Sequence, residues 1–132
     1  MEELKIEFPS VLENIKLVES FIDNAKEKFH IPEDVYGNIM VAVTESVNNA
    51  IIHGNHSSIE KSVWLSLYID STSLKCIVED EGSGFDFDNL PDPTAPENIN
   101  KIGGRGVFLI KNLSDNVNFT DGGRRVEMLF NF

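Results

Sequence analysis

The sequence predicts an α+β fold, a two-layer α/β sandwich in which helices cover one face of a mixed β-sheet. Three observations lead to this prediction. The chain of 132 residues has the length of one domain. Strand-type alternation and helix-type periodicity occupy separate stretches, and strand-type stretches follow one another directly at two places. The predicted order is β-α-α-β-β-loop-α-β-β, in a single domain over residues 1–132.

The first strand and the first helix are predicted from periodicity. Residues 3–8 alternate apolar and charged side chains with the period of a strand. Apolar residues then recur at helical spacing over 12–29. Ser10 with Glu13 three residues later resembles a capping box, so we expect it to start this helix.

The later elements follow the same two patterns. A second helix is predicted from the first turn around Pro32, where proline is well tolerated, to His53, with Gly54 as its stop. The remaining predictions are a hairpin at 62–70 and 74–80, a helix at 107–113 and a final hairpin at 117–119 and 126–130.

Composition excludes several classes of protein. The formal net charge of −11 disfavours binding to nucleic acid and to anionic membranes. Cys76 is the only cysteine, which indicates a reducing compartment, and its strand setting predicts a buried structural thiol. Neither a signal-peptide pattern nor an apolar run of the ~20 residues that a membrane span needs is present. We therefore expect a cytoplasmic protein without nucleic-acid or membrane partners.

The most informative cluster lies on the second predicted helix, in the run VTESVNNA at 43–50. Glu45 and Asn49 are one helical turn apart, on nearly the same face. Such a pair is most often a solvated surface, but two adjacent asparagines within a helix have poor propensity and need another reason. A neutral amide suits Mg²⁺, which keeps waters and takes other ligands from substrate phosphates. A carboxylate one turn away suits a general base.

A second cluster follows the apolar stretch 74–79, where Asp80, Gly82 and Gly84 alternate with other residues. A carboxylate there can accept a hydrogen bond from an exocyclic amine such as that of adenine. The glycines let backbone approach a ring without a Cβ in the way. An acidic turn is the alternative, whereas a calcium loop is disfavoured because its ladder of ligands is absent.

The third cluster is Gly104-Arg105-Gly106 directly before the predicted helix at 107–113. Glycines at the start of a helix expose free N–H groups and the positive end of its dipole, which suits phosphate. Lys101 and Arg105 add positive charge, although a plain turn is the usual explanation of one Gly-x-Gly. No P-loop or dinucleotide fingerprint occurs.

Together the three clusters resemble the motifs of the GHKL ATPase superfamily. Residues 43–55 are similar to its N box, with the His-Gly ending typical of RsbW-like anti-sigma-factor serine kinases. Residues 80–85 and 104–110 are similar to its two glycine boxes. The resemblance implies the Bergerat (histidine-kinase-like ATPase) fold, with ATP and Mg²⁺ held between the helical layer and a mobile lid, which we assign to 85–103.

The resemblance also implies a role for each site residue. Asn49 would ligate Mg²⁺, and Glu45 would be the catalytic base. Asp80 would bind the adenine amine, with Gly82 and Gly84 beside it. The phosphates would meet the second glycine box at Gly104, Arg105, Gly106 and Val107.

The function that the resemblance implies is an ATP-dependent protein-serine kinase and anti-sigma factor, acting as a homodimer. It would bind a sigma factor and phosphorylate a serine on an anti-sigma-factor antagonist. Two alternatives stay open: a non-catalytic, nucleotide-gated partner-binding module, and the ATPase module of a histidine-kinase-type system. One departure from the family pattern is Gly123-Arg124 in the last hairpin, where many members have Gly-Thr, so a hydroxyl near the nucleotide is missing.

Overall fold

The computed structural model describes residues 1–83 and 104–132, so the predicted lid at 85–103 lies outside the described residues. The order of elements agrees with the prediction. The strands are β1 (Glu2–Pro9), β2 (Ser62–Ile69), β3 (Ser73–Glu79), β4 (Asn116–Thr120) and β5 (Arg125–Asn131), and the helices are α1 (Ile15–Phe29), α2 (Glu33–Asn49) and α3 (Gly104–Leu113).

The five described strands form one sheet in the order β1-β2-β3-β5-β4. Every neighbouring pair is antiparallel, so the predicted mixed sheet is wrong in this respect. The connection from β3 through α3 makes β4 parallel to β3, as such crossovers do. However, β5 returns between them, so the two parallel strands are never neighbours.

The two-layer α+β architecture is confirmed. Apolar side chains of all three helices share one core with the inner face of the sheet, where β2 contributes Val63, Leu65, Leu67 and Ile69. Cys76 on β3 is fully buried in the same core, and this burial raises the pKa of its thiol well above the usual range. The prediction of a structural rather than reactive thiol is confirmed.

The start of α1 differs from the prediction. The helix begins at Ile15, after a single 3₁₀ turn at Leu12–Asn14, and Ser10 does not cap it. Instead the Ser10 hydroxyl is buried and donates to the carbonyl oxygen of Lys61 at 2.7 Å. The capping-box prediction considered only neighbouring residues, whereas the Ser10 hydroxyl bonds to Lys61, which is distant in the sequence.

The end of α2 changes from α-helical to π-helical geometry. After Asn49 the helix continues without a break as one π-helical turn, Ala50–Gly54, as the prediction to His53 required. The Asn55 N–H closes this turn on the carbonyl oxygen of Ala50 at 2.8 Å. Single π turns within helices frequently occur at functional sites.

Within residues 1–83 and 104–132, no helix combines the length and the apolar character needed to cross a membrane.

Two glycines give a matched test of backbone strain. A methyl group at Gly37, on the exposed side of α2, or at Gly122, in the last hairpin, would meet no atom within 4 Å. Gly37→Ala should raise the free energy of unfolding by about 0.5–1 kcal/mol, because alanine favours the helix. Gly122 has a φ of 68°, so Gly122→Ala should lower it by roughly 1–2 kcal/mol. Urea denaturation measures both, and a change of the same sign in the two variants would contradict the assignment.

Candidate functional site

Asp80 is the first residue beyond β3, and the hairpin between β4 and β5 fixes its position. Its N–H donates to the carbonyl oxygen of Arg124 at 3.0 Å, and its Oδ1 accepts the N–H of Gly82 at 2.7 Å. Burial raises the pKa of the carboxyl group, while the Gly82 N–H and the positive charges of Arg124 and Lys61 oppose the rise. The result is a partly desolvated carboxylate with its second oxygen available.

Gly54 and Gly82 pack closely around that carboxylate. A methyl group at Gly54 would lie 2.3 Å from Oδ2 of Asp80, and one at Gly82 would lie 2.0 Å from the carbonyl oxygen of Gly54. Both positions therefore exclude a larger side chain. Gly82 was predicted to make room for a ligand ring, and the structure adds a reason within the protein, namely contact with the end of the π-helical turn.

Asn55 links the segment around Asp80 to neighbouring segments through hydrogen bonds, and it was not predicted as a site residue. Its side chain is fully buried, and its Oδ1 accepts the N–H of Glu81 at 2.8 Å. Its Nδ2 donates to Ser10 Oγ at 2.7 Å and to the carbonyl oxygen of Ser62 at 2.9 Å. The chain segment that carries Asp80 is thereby fastened to the end of α2. The only sequence signal was an asparagine after a helix-stopping glycine.

Glu45 and Asn49 lie together where α2 meets the start of α3. A methyl group at Gly106 would be 2.8 Å from Asn49 Nδ2 and 3.2 Å from both Asn49 Oδ1 and Glu45 Oε2. Both side chains are partly buried, so they do not form an open solvated face. A glycine lets the first turn of α3 approach them this closely without displacing either side chain.

The helix α3 begins at Gly104, three residues before the predicted start. Gly104, Arg105, Gly106 and Val107 therefore form its first turn, and Gly106 and Val107 are buried. Glycine's low helix propensity hid this turn from the sequence analysis. The first N–H groups of a helix have no partner within it and carry its positive dipole end, and Gly106 in this first turn lies beside Asn49. Gly84 falls outside the described residues.

A cleft connects the two groups of residues. Its lining comes from α2 and the π-helical turn, the end of β3, Ile110 within α3, and the last hairpin: Ser46, Asn49, Ala50, Gly54, Val78, Asp80, Ile110, Phe119, Gly123, Arg124 and Val126. The walls are largely apolar, with a few polar groups, as ligand sites usually are. Gly123 and Arg124 occupy the wall beside Asp80. From the sequence this pair was noted only as a departure from the family motif.

The residues of the cleft fit Mg²⁺ only together with a phosphate ligand. In the described part of the chain, no three His, Cys, Asp or Glu side chains gather closely enough to hold a metal. Asn49 offers one neutral amide oxygen beside the Glu45 carboxylate. This sparse donor set suits an ion that keeps its waters and takes substrate phosphate oxygens.

Comparison with known proteins agrees with the fold. Residues 8–130 match the family model described as "Histidine kinase-like ATPase domain". Serine-protein kinase RsbW of Bacillus cereus is 26% identical over 123 residues, which cover 88% of this chain and 76% of that protein. Anti-sigma F factor of Oceanobacillus iheyensis is 27% identical over 118 residues, 87% and 80% of the two chains.

A solved structure shows the same fold. The crystal structure of the RsbU and RsbW domains of a Mycobacterium tuberculosis protein superposes with a TM-score of 0.68 at 13% identity, over 99% of this chain and 32% of that chain. The family match over nearly the whole chain, the relatives and the fold agree. This chain therefore belongs to the histidine kinase-like ATPase family, in its RsbW-like group.

Proposed function

We propose that this protein is an ATP-dependent protein-serine kinase and an anti-sigma factor, which binds a sigma factor and phosphorylates a serine on an anti-sigma-factor antagonist. Membership of the family implies ATP use, and the names of the relatives support the kinase and anti-sigma roles. One observation carries the proposal: Asn49 and Asp80 line the same cleft, and Asn49 and Glu45 lie against Gly106 in the first turn of α3.

Asp80 anchors the purine in this proposal. Its Oδ1 is held by the Gly82 N–H, so the remaining oxygen is the acceptor for the exocyclic amine of adenine. Val78, Ile110 and Val126 line the cleft and supply apolar surface for the ring. Burial strengthens this hydrogen bond, because water competes less for the carboxylate.

The first turn of α3 and Asn49 hold the phosphates. The free N–H groups from Gly104 to Val107 would donate to phosphate oxygens, and the Asn49 amide oxygen would be a ligand of Mg²⁺. The ion, when bound, neutralises charge on the transferring phosphoryl group. Residues 85–103 are proposed to close over the nucleotide within this single domain.

Glu45 accepts the proton of the attacking serine. The serine oxygen forms a bond to the γ-phosphorus while the bond from that phosphorus to the bridging oxygen breaks, leaving ADP. The serine proton passes to Glu45 Oε2, the oxygen nearest Gly106. The carboxylate is one turn from Asn49 on α2, so base and phosphoryl group are positioned by one rigid helix.

The proposed partners are proteins. With a net charge of −11, the chain attracts positively charged protein surfaces and speeds their encounter. We propose that it works in the cytoplasm as a homodimer. We propose neither a nucleic acid nor a membrane as a binding partner.

Phosphate transfer tests the function directly. The purified protein is incubated with γ-labelled ATP, Mg²⁺ and the antagonist-type protein encoded beside it. We expect label on one serine of the antagonist, and none when Mg²⁺ is chelated or when that serine is replaced by alanine.

Failure of phosphate transfer would refute the kinase activity. Measurement of partner binding would then test the alternative function. ATP-dependent complex formation without transfer would support a nucleotide-gated binding module. Arg124, exposed in the cleft wall where the resemblance implies a threonine, is the feature that favours that alternative.

A further inference from the structure

Ser46 has a buried hydroxyl without a partner, and it faces the cleft. Its side chain is 2% exposed, and its Oγ makes no hydrogen bond in the structure. Ser46 lines the cleft together with Asn49 and Asp80. A buried polar group without a partner is costly and therefore rare in folded proteins.

The local backbone does not account for this hydroxyl. Serine and threonine within helices commonly donate to the carbonyl oxygen three or four residues earlier. Thr44 on the same helix does so, at 2.7 Å from the carbonyl oxygen of Met40. Ser46, two residues later, makes no such bond. Its hydroxyl thus stays available on the cleft side of α2.

The neighbouring residues define what the hydroxyl could meet. Among the described residues that line the cleft, Ser46 carries the only hydroxyl, and the last hairpin presents Gly123 and Arg124 there instead. Asp80 in the same cleft is a pure acceptor when ionised, and a hydroxyl can donate. The two groups together present one acceptor and one donor to a ligand.

We propose that Ser46 determines purine recognition: its hydroxyl donates to the adenine ring nitrogen N1, next to the amine that Asp80 binds. This inference rests on the proposed binding of ATP. Adenine offers a donor at the amine and an acceptor at N1, which complements the acceptor of Asp80 and the donor of Ser46. The contact would give the Ser46 hydroxyl its missing partner only in the nucleotide-bound protein.

Calorimetry with ATP tests the proposal. Ser46→Ala should weaken ATP binding roughly three- to tenfold, the effect of one neutral hydrogen bond. Ser46→Cys, similar in size but a weak donor, should show a comparable loss. Ser114→Ala is the matched control, because Ser114 also has a buried hydroxyl without a partner but does not line the cleft. It should bind ATP as the wild type does.

An analogue without N1 identifies the contact. Wild-type protein should bind 1-deaza-ATP more weakly than ATP, and Ser46→Ala should cause no further loss with the analogue. Thermal unfolding of the nucleotide-free Ser46→Ala protein should show no loss of stability, because no hydrogen bond is removed.

The outcomes separate this inference from the proposed function. Unchanged ATP affinity in Ser46→Ala, or an equal further loss with 1-deaza-ATP, would overturn the role of Ser46 and leave ATP binding intact. Failure of the wild type itself to bind ATP would overturn both.

Discussion

Glu45→Gln is expected to slow phosphate transfer to the antagonist by roughly 100-fold or more, the range for loss of a general base. ATP affinity should change little, because glutamine has the same shape and can still lie beside Asn49 and Gly106. An interaction used only in the transition state lowers the rate and not the binding. Single-turnover transfer and calorimetry measure the two quantities separately.

Glu60→Gln is the matched control, because Glu60 is exposed, whereas Glu45 is partly buried beside Gly106. It removes the same charge and should transfer phosphate at the wild-type rate. Equal losses in the two variants would attribute the effect to net charge, and full activity of Glu45→Gln would remove Glu45 from the mechanism. Complexes with the antagonist should survive in both variants.

Asp80→Asn should have opposite effects on binding and on stability. The asparagine Oδ1 can still accept a hydrogen bond from the Gly82 N–H. The NH₂ group then points toward the ligand, where this donor would face another donor, the exocyclic amine of adenine. We expect ATP affinity to fall by about 100-fold or more, as when a buried polar group meets the wrong partner. The nucleotide-free protein should become more stable at pH 7, because a partly desolvated charge is removed.

The pH dependence follows from the raised pKa of Asp80. The folded state binds the Asp80 proton more tightly than the unfolded state, so this group favours folding more as the pH falls. At neutral pH the carboxylate is charged in both states and its burial lowers stability. The advantage of Asp80→Asn should therefore be full at pH 7 and shrink as the pH falls through the raised pKa toward the usual value.

Asp70 provides a control of opposite sign. The N–H groups of Thr72 and Ser73 donate to Asp70 Oδ1 at 2.9 and 2.8 Å, and the pKa of Asp70 is lowered, first by the Thr72 N–H. Its charge stabilises the fold at neutral pH, and this contribution is lost as the pH falls through the lowered pKa. Asp70→Asn should therefore reduce stability at pH 7 and leave ATP binding unchanged. Urea titrations from pH 3 to 8 would refute this account if both variants shifted stability in the same direction.

The elements of the fold were predictable because local periodicity reflects burial. β1 alternates along its length, and α2 carries a buried stripe from Ile39 to Val47. The antiparallel pairing of the whole sheet was not predictable, since the insertion of β5 between β3 and β4 depends on long-range contacts. The start of α3 was missed because glycine has a low helix propensity, whereas in the structure Gly106 packs against α2.

The residues of the site also fall into a predicted group and a group that was missed. Glu45, Asn49, Asp80 and the glycine box of α3 were predicted from residue type and spacing. In the structure Asn49 and Asp80 line one cleft, and Glu45 and Gly106 lie beside Asn49. Asn55 was missed because its partners, Ser10, Ser62 and Glu81, are distant in the sequence. Ser46 was missed because a serine on a helix gives no sign of whether its hydroxyl has a partner.

The sequence by itself determined which chemical groups this protein possesses and the order of its helices and strands, because side-chain type and periodicity are local properties. Only the tertiary structure decided which groups share the cleft. Contact between α2 and Gly106 of α3, the packing of Gly54 and Gly82 around Asp80, and the isolation of the Ser46 hydroxyl all depend on chain segments that meet only after folding.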